Sequence, residues 1–406
     1  MNNIKIKIIN IGNLKRLIML SLFFSSLSFG FILTSWGSPD ISSCSIANVP
    51  ARMQNSHRVE IRNDGTTMVD GKPFFPFGFY HVSWVSTADD RIKHLREIAA
   101  GGFNTIHASF KRYENYDEYE SFLNEAERLG MYVLTEFELT PTVYPINVVH
   151  KFQNKPAILG WSIADDVDSY KDGFTPNHIA DLHCKFKKAD PDHITYISGS
   201  KDNRITKFIN TAEAIGVQAY PVGENRPLNW VKHMISIVRN AAPPNRLIIG
   251  NVQAFRWDIQ GARAPTFAEV RNMTYQALLA GAKGIIYYTY FDDSWRLWEH
   301  PDLWNNLKNL VPELNGISPI LLDGELREIE QGENVSAGIW VIKDQGLAAI
   351  VNTSYDKTAK VTIALPTGFT KAQPMFSDRR NGMTVKDGKL SGSIKPLEVN
   401  IYSLRA

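Results

Sequence analysis

The sequence predicts an α/β fold, a closed (β/α)8 barrel followed by a small all-β sandwich. Apolar runs of strand length alternate with helix-periodic stretches through eight rounds between Phe74 and Leu314. The first strand is followed by no Gly-x-Gly-x-x-Gly phosphate loop, which favours a closed barrel over a doubly wound open sheet. From Ile320 onward short strands separated by turns such as Asp387-Gly388 replace the alternation, without a convincing helix.

The barrel strands read as Phe74 to His81, Asn104 to Ser109, Tyr132 to Phe137, Ile158 to Asp165, Ile194 to Ser198, Ala214 to Tyr220, Leu247 to Phe255 and Gly284 to Phe291. Between them fit helices over Asp89 to Ala100, Tyr116 to Leu129, Ile146 to Phe152, Pro176 to Ala189, Lys201 to Asn210, Leu228 to Asn240 and Thr266 to Ala280, with a last one near Leu303 to Leu314. Glycine or proline punctuates many of the ends, as at Gly101-Gly102, Gly130, Pro191 and Gly281. Ahead of the barrel, the turn signal Asn63-Asp64-Gly65 marks a β-hairpin over Arg58 to Val69. In the C-terminal region, Trp340 to Lys343, Ala348 to Asn352, Lys360 to Ala364 and Glu398 to Leu404 read as strands. That domain is expected to flank or stiffen the barrel, with a carbohydrate-binding module as the alternative. The expected divisions are a leader over 1–44, a linker over 45–57, the barrel with its hairpin over 58–317 and the sandwich over 318–406.

Lys5, Lys7, Lys15 and Arg16 precede the apolar run Leu17 to Leu33 and a polar stretch from Thr34 to Asp40, the order of an export signal. The run is also long enough to stay as a membrane anchor, and Ile41-Ser42-Ser43-Cys44 resembles a lipoprotein cleavage box. The expected location is therefore outside the cytoplasm: secreted, periplasmic or held in the envelope by the N-terminus. Of the two cysteines, Cys44 falls outside the expected folded body and Cys184 within a predicted helix as a buried thiol. Neither a disulfide framework, a cysteine metal site nor a cysteine nucleophile is indicated.

Composition narrows the partners. Lys plus Arg (44) nearly balances Asp plus Glu (42), so no strong field exists to recruit nucleic acid. The 9 Trp, 15 Tyr and 21 Phe supply flat faces that stack on sugar rings, although most of them are expected to fill the core. Neither a metal site nor a cofactor site is indicated.

A barrel places its chemistry at the C-terminal ends of its strands. Strand one ends in Tyr80 and His81, strand two in His107, strand three in Glu136, strand four in Asp165 and Asp166, and strand six in Tyr220; strand seven carries Gln253 and strand eight runs into Asp292 and Asp293. Glycosidic cleavage needs two carboxyl groups, one to protonate the leaving oxygen and one to attack or to activate water. An Asp just after a strand can also be a helix cap. Trp161, and the loop residues Trp257, Trp295 and Trp298, are candidate sugar platforms.

These residues also carry a family resemblance. The segment from Asp70 to Tyr80, with Gly102-Phe103-Asn104-Thr105-Ile106, Gln218-Ala219-Tyr220-Pro221 and the run from Gly281 to Tyr288, resembles the clan-A glycoside hydrolases, the β-galactosidase and cellulase-like TIM barrels. Pro396 to Tyr402 resembles the closing strand of their appended β-domain. Leu159 to Asp168 is similar to their fourth-strand motif, which implies Asp165 as the orienting residue and Asp166 as the general acid, with Val167 replacing a proline. The family's nucleophile is a Glu on strand seven, where this sequence has Gln253. Three readings follow. In one, Asp166 is the acid and Glu136 or Asp292 activates water. In another, Asp165 and Asp166 assist a substrate whose N-acetyl group attacks its own anomeric carbon, as in hexosaminidases. In the third, the barrel binds an oligo- or polysaccharide without hydrolysis through Tyr80, Trp161, Tyr220 and Trp295. His81, His107 and Gln253 are expected to hydrogen-bond sugar hydroxyls.

Overall fold

The computed structural model describes residues 44, 57–111, 114–138, 146–169, 173–224, 226–376 and 383–406. Apart from Cys44 and His57, the expected leader over 1–44 and the expected linker over 45–57 lie outside the described residues. Eight parallel strands close on themselves: strand one Phe77–His81, two Thr105–Phe110, three Tyr132–Phe137, four Ile158–Ala164, five Ile194–Gly199, six Ala214–Ala219, seven Leu247–Gln253 and eight Ile285–Phe291. Strand eight pairs with strand one, so the barrel has no free edge. The strands read as nearly continuous apolar runs because both faces are buried. Their outward side chains, among them Phe79, Trp161, Ile163 and Tyr287, pack under the helical layer.

The interior changes character along its length. Leu134, Leu159, Ile194, Ala214, Leu247, Ile249 and Ile286 form one apolar cluster with Val59 and Val69 of the N-terminal segment. That segment is a three-stranded antiparallel sheet over Val59–Ile61, Thr67–Val69 and Lys72–Phe74 rather than a lone hairpin. The third strand is added through Asp70-Gly71, both at positive φ (49° and 75°), the backbone that a two-residue Asp-Gly hairpin loop requires.

Two helical expectations are corrected. Between strands five and six, a 3-10 turn over Ile205–Phe208 replaces the helix expected over Lys201 to Asn210. Asp202 turns back to accept from the Asn203 amide, a local bond that competes with helix formation. After strand eight there are two helices, Pro301–Lys308 and Leu310–Asp323, and the second runs beyond the boundary drawn at 317.

The C-terminal strands form a five-stranded sheet facing a three-stranded one, with Val335, Ile350, Val361 and Leu390 in the core between them. The other face of the larger sheet, through Trp340, Leu347, Ala349 and Ile401, joins the barrel core. The helix Phe267–Leu279 lies in this junction and is buried on every side from Glu269 onward. Its polar groups are met across the junction. Arg271 pairs with Glu313 at 2.5 Å and donates to the Val399 carbonyl, and Asn272 donates to the carbonyls of Asn352 and Leu397. Removing one partner of such a buried pair costs far more than the pair itself contributes.

Cys44 and Cys184 form a disulfide. The cysteine reading is corrected on both counts: Cys44 is fastened to the folded body, and neither thiol is free. Cys184 lies on the helix Pro176–Ala189 off the stripe buried through Ile179, Leu182, His183 and Phe186, where a distant part of the chain can reach it. With its sulfur in this bond, Cys44 has no thiol to carry a lipid. Non-reducing peptide mapping of purified protein should recover one Cys44–Cys184 linked pair. Reduction should lower unfolding free energy in urea by about 2–4 kcal/mol.

Candidate functional site

Because all eight strands run the same way, their C-terminal ends share one mouth. A cavity of about 460 Å3 opens there, lined by Asp165, Asp166, Ser200, Lys201, Gln218, Tyr220, Glu224, Arg226, Trp230, Phe255, Arg256, Trp257, Asp258, Tyr288, Asp292, Asp293 and Ser294. In the closed strand order, strands four and eight stand diametrically opposite each other. Asp165 and Asp166 therefore approach from one wall, and Asp292 and Asp293 from the other.

The fourth-strand pair is set by a bend. Strand four ends at Ala164, and Asp166 takes a left-handed backbone at φ 47°, a conformation Asp tolerates better than most residues. The alternation that would send one of two neighbours away from the cavity ends there, and both residues line it. Asp165 is half-buried and accepts from Ser198 Oγ and, at 2.9 Å, from Gln218 Nε2; Gln218 also donates to Ser198 at 2.7 Å. Asp166 is exposed. The buried Asp168 accepts from the amides of Ser200 and Lys201, tying the loops after strands four and five together. Small residues make this interior possible. A Cβ on Gly216 would lie 1.8 Å from the Tyr196 hydroxyl, which is hydrogen-bonded to Asn251.

On the opposite wall Asp292 is buried and accepts from the Ser294 amide at 2.8 Å and its hydroxyl at 3.1 Å. Burial raises its carboxyl above the ordinary aspartate value, against the opposing pull of those Ser294 bonds. Tyr220, Phe255, Trp257 and Tyr288 form a continuous aromatic side, with ring centroids 4.9–6.1 Å apart. The Tyr220 hydroxyl and the Trp257 Nε1 are buried and have no hydrogen-bond partner among the described residues.

The remaining candidates fall elsewhere. Glu136 does not line the cavity: it sits in the barrel interior, accepting from Tyr80 at 2.6 Å and Ser109 at 2.7 Å. Burial first, and then the charge of Asp165, push its carboxyl up to about 8. This is not a carboxylate placed to activate water at the mouth. Tyr80 is committed to Glu136, and His107 packs edge-on against Tyr80 and Tyr196, its pKa lowered to about 3 by burial. His81 and Trp161 point outward. The first bonds Ser83 and His94, and the second donates to Asp190 at 2.7 Å, so Trp161 does not flank Asp166. Gln253 clamps the loops after strands six and seven, bonding both the amide and the carbonyl of Val222 and the Phe255 carbonyl. Trp295 is buried and stacked on His300 at 3.9 Å, and Trp298 packs on His94 and Phe291. Of the expected sugar platforms, Tyr220 and Trp257 line the cavity. Gln218, Ser198 and Tyr288 were not singled out in the sequence. Gln218 and Tyr288 lie within segments that resemble the hydrolase strands, and their inward parity was the available signal.

No protein-family model and no curated protein matches this sequence. Solved structures do match its fold. One is a glycoside hydrolase, with a TM-score of 0.60 and 12% identity, covering 86% of this chain and 96% of that one. This chain shares the (β/α)8-barrel fold of that structure. An α-amylase of Geobacillus thermoleovorans complexed with acarbose is similar at a TM-score of 0.55 and 12% identity, covering 81% of this chain and 98% of that one. A family 30 subfamily 8 xylanase of Clostridium acetobutylicum is similar at 0.52 and 10%, covering 86% and 98%. At such identities the likeness is one of fold, and the reaction has to be argued from the site.

The Glu136 environment gives a test with a definite sign. Its carboxyl titrates near 4.5 when unfolded and near 8 when folded, so between these values the folded state holds a proton the unfolded state has released. Its contribution to stability therefore falls as pH rises through that window. Glu136→Gln should remove this fall. In urea unfolding, the variant's stability relative to wild type should rise by roughly 3–5 kcal/mol between about pH 4 and about pH 9.

Proposed function

We propose that this chain is an exported hydrolase that cleaves an O-glycosidic bond in an oligo- or polysaccharide, with inversion at the anomeric carbon. The observation that carries this reading is the opposition of the fourth-strand carboxyls and Asp292 across one aromatic-sided cavity. Inversion needs a wide separation between the two carboxyl groups, leaving room for water, and opposite walls suit it better than neighbouring strands do. Gln253 on strand seven removes the ordinary source of a covalent nucleophile.

Environment divides the roles. Asp292, whose proton is favoured by burial, donates to the leaving oxygen, while the exposed Asp166 accepts a proton from the water that attacks the opposite face. Asp165, held by Ser198 and Gln218, orients the attacking side. This assignment reverses the one implied by the family resemblance, in which the fourth strand supplies the acid. Export is supported by the basic-then-apolar order of the N-terminus and by the Cys44–Cys184 bond, which suits an oxidising compartment.

A second reading, glycan binding without hydrolysis, is favoured by Gln253, whose amide is consumed by loop contacts rather than offered to a reaction. Leaving-group dependence separates the possibilities. Asp292→Asn should lose about 10²–10⁴-fold in kcat/KM on sugar–sugar linkages but much less on nitrophenyl glycosides, whose leaving groups need no proton. Asp166→Asn should lose comparably on both. The opposite pattern would return the acid role to strand four, and absence of turnover by the wild type on a broad glycan panel would favour binding alone.

A further inference from the structure

The side of the cavity that follows strand seven is not held by the barrel alone. Phe255, Arg256, Trp257 and Asp258 all line the cavity, and all stand in the loop between the end of strand seven at Gln253 and the helix Phe267–Leu279. The crest of that loop, Asp258 to Gly261, is exposed. Among the described residues, the backbone of 256–265 makes one backbone hydrogen bond, from the Ala262 amide to the Ile259 carbonyl. A loop this poor in backbone bonds takes its shape from side-chain contacts. Gln253 fixes its start by bonding Val222 and the Phe255 carbonyl. Trp257 packs against Gly223, where an added Cβ would lie 3.2 Å from the indole Cδ1.

The far end of the loop is fixed by a carboxylate. Arg263 donates to both oxygens of Glu269, at 2.5 and 2.7 Å, and Tyr355 of the C-terminal domain donates to the same group at 2.7 Å. The Glu269 side chain is 1% exposed. Its bonds with Thr266 already complete a capping box at the start of the helix, which needs nothing more. Arg263 and Tyr355 are additional, and they join the loop to the C-terminal domain through one buried group. Burial by itself would raise this carboxyl. The bonds from Arg263, Thr266 and Tyr355 outweigh burial and hold it down to about 2, so the link stays charged across the neutral range. The turn that carries Tyr355 has a fixed base: the buried Asn352 accepts from the Ser354 amide and donates to the carbonyls of Lys357, Ile394 and Lys395, while Asn272 of the same helix donates to the Asn352 carbonyl.

We propose that Tyr355 is a positioning residue for the mouth: through Glu269 and Arg263 it holds the strand-seven loop, and with it the Trp257 ring, against the cavity. The C-terminal domain thereby sets the aromatic side of a site that Tyr355 itself does not line. The proposal rests on the reading of the mouth as the functional site and deepens it. Removing the Tyr355 hydroxyl leaves a buried carboxylate short of one donor. With so few backbone bonds of its own, the loop answers by opening at that end. The candidate catalytic carboxyls follow strands four and eight, so the loss reaches ligand binding rather than the chemical step. A second polar contact between barrel and C-terminal domain, Arg239 with Glu328 at 2.9 Å, lies away from this loop and supplies the comparison.

The experiment compares Tyr355→Phe, Arg263→Gln and Glu328→Gln with the wild type in the whole protein. Amide hydrogen exchange over 256–265 should quicken about tenfold in the first two variants and stay unchanged in the third. With 5-fluorotryptophan incorporated, the fluorine resonance of Trp257, identified by its loss in Trp257→Phe, should shift or broaden in Tyr355→Phe while the other indole resonances keep their positions. On the nitrophenyl glycoside that the wild type hydrolyses fastest, Tyr355→Phe should raise KM about threefold and leave kcat within about twofold. Unchanged exchange or an unmoved Trp257 resonance in Tyr355→Phe would overturn the proposal. So would an equal response to Glu328→Gln, which would mean a general loosening of the junction, or an effect confined to kcat. A wild type inactive on every glycoside would sink the proposed reaction alone, because the exchange and fluorine readouts need no turnover and still decide whether Tyr355 positions the loop.

Discussion

Closure of eight parallel strands is the constraint on which the rest of the molecule depends. A parallel ladder cannot leave its backbone polar groups or its faces to water without cost, and closure removes the edge while helices cover the outside. The common strand direction then delivers every C-terminal end to one mouth. It is this geometry, rather than any single motif, that sets Asp165 and Asp166 opposite Asp292. The interior below need only be filled, and it is: the antiparallel N-terminal sheet closes one end through Val59 and Val69, whereas the other end turns polar.

That polarity gradient organises the site. Tyr80, Ser109 and Glu136 form a sequestered network, in which burial favours the neutral acid. Further toward the mouth, Ser198 and Gln218 fix Asp165, and the left-handed turn at Asp166 releases a second carboxyl into the cavity. The C-terminal sandwich contributes differently. Through Trp340, Leu347 and Ile401 it shares the barrel's core, and through the buried Arg271–Glu313 pair it fixes the helix that runs between the two. It packs against the wall behind strands seven and eight.

The fold was legible because strand and helix periods survive in the sequence: eight apolar runs such as Ile158 to Ala164 and Leu247 to Gln253 were visible one by one. The site was legible only in outline. Sequence marks which residues end a strand, but the direction of each side chain depends on where the strand stops and on local bends. Trp161 and His81 read as mouth residues, yet they face the helices, and Trp295 is spent on His300. Asp165 and Asp166 both reach the cavity through a backbone turn that no composition announces. The Cys44–Cys184 bond escaped for a similar reason, since it joins positions 140 residues apart and neither neighbourhood signals the other. Gln253 was conspicuous as a missing carboxylate, and its use as a loop clamp is a matter of three-dimensional contacts alone.

The central claim is that the two walls of the mouth act together on a glycosidic bond from opposite faces. The most direct measurement is the anomeric configuration of the first product released, followed by proton NMR before mutarotation. The account predicts the configuration opposite to that of the substrate. Product of retained configuration would contradict it, because retention requires a nucleophile close to the acid and not a carboxyl across the barrel.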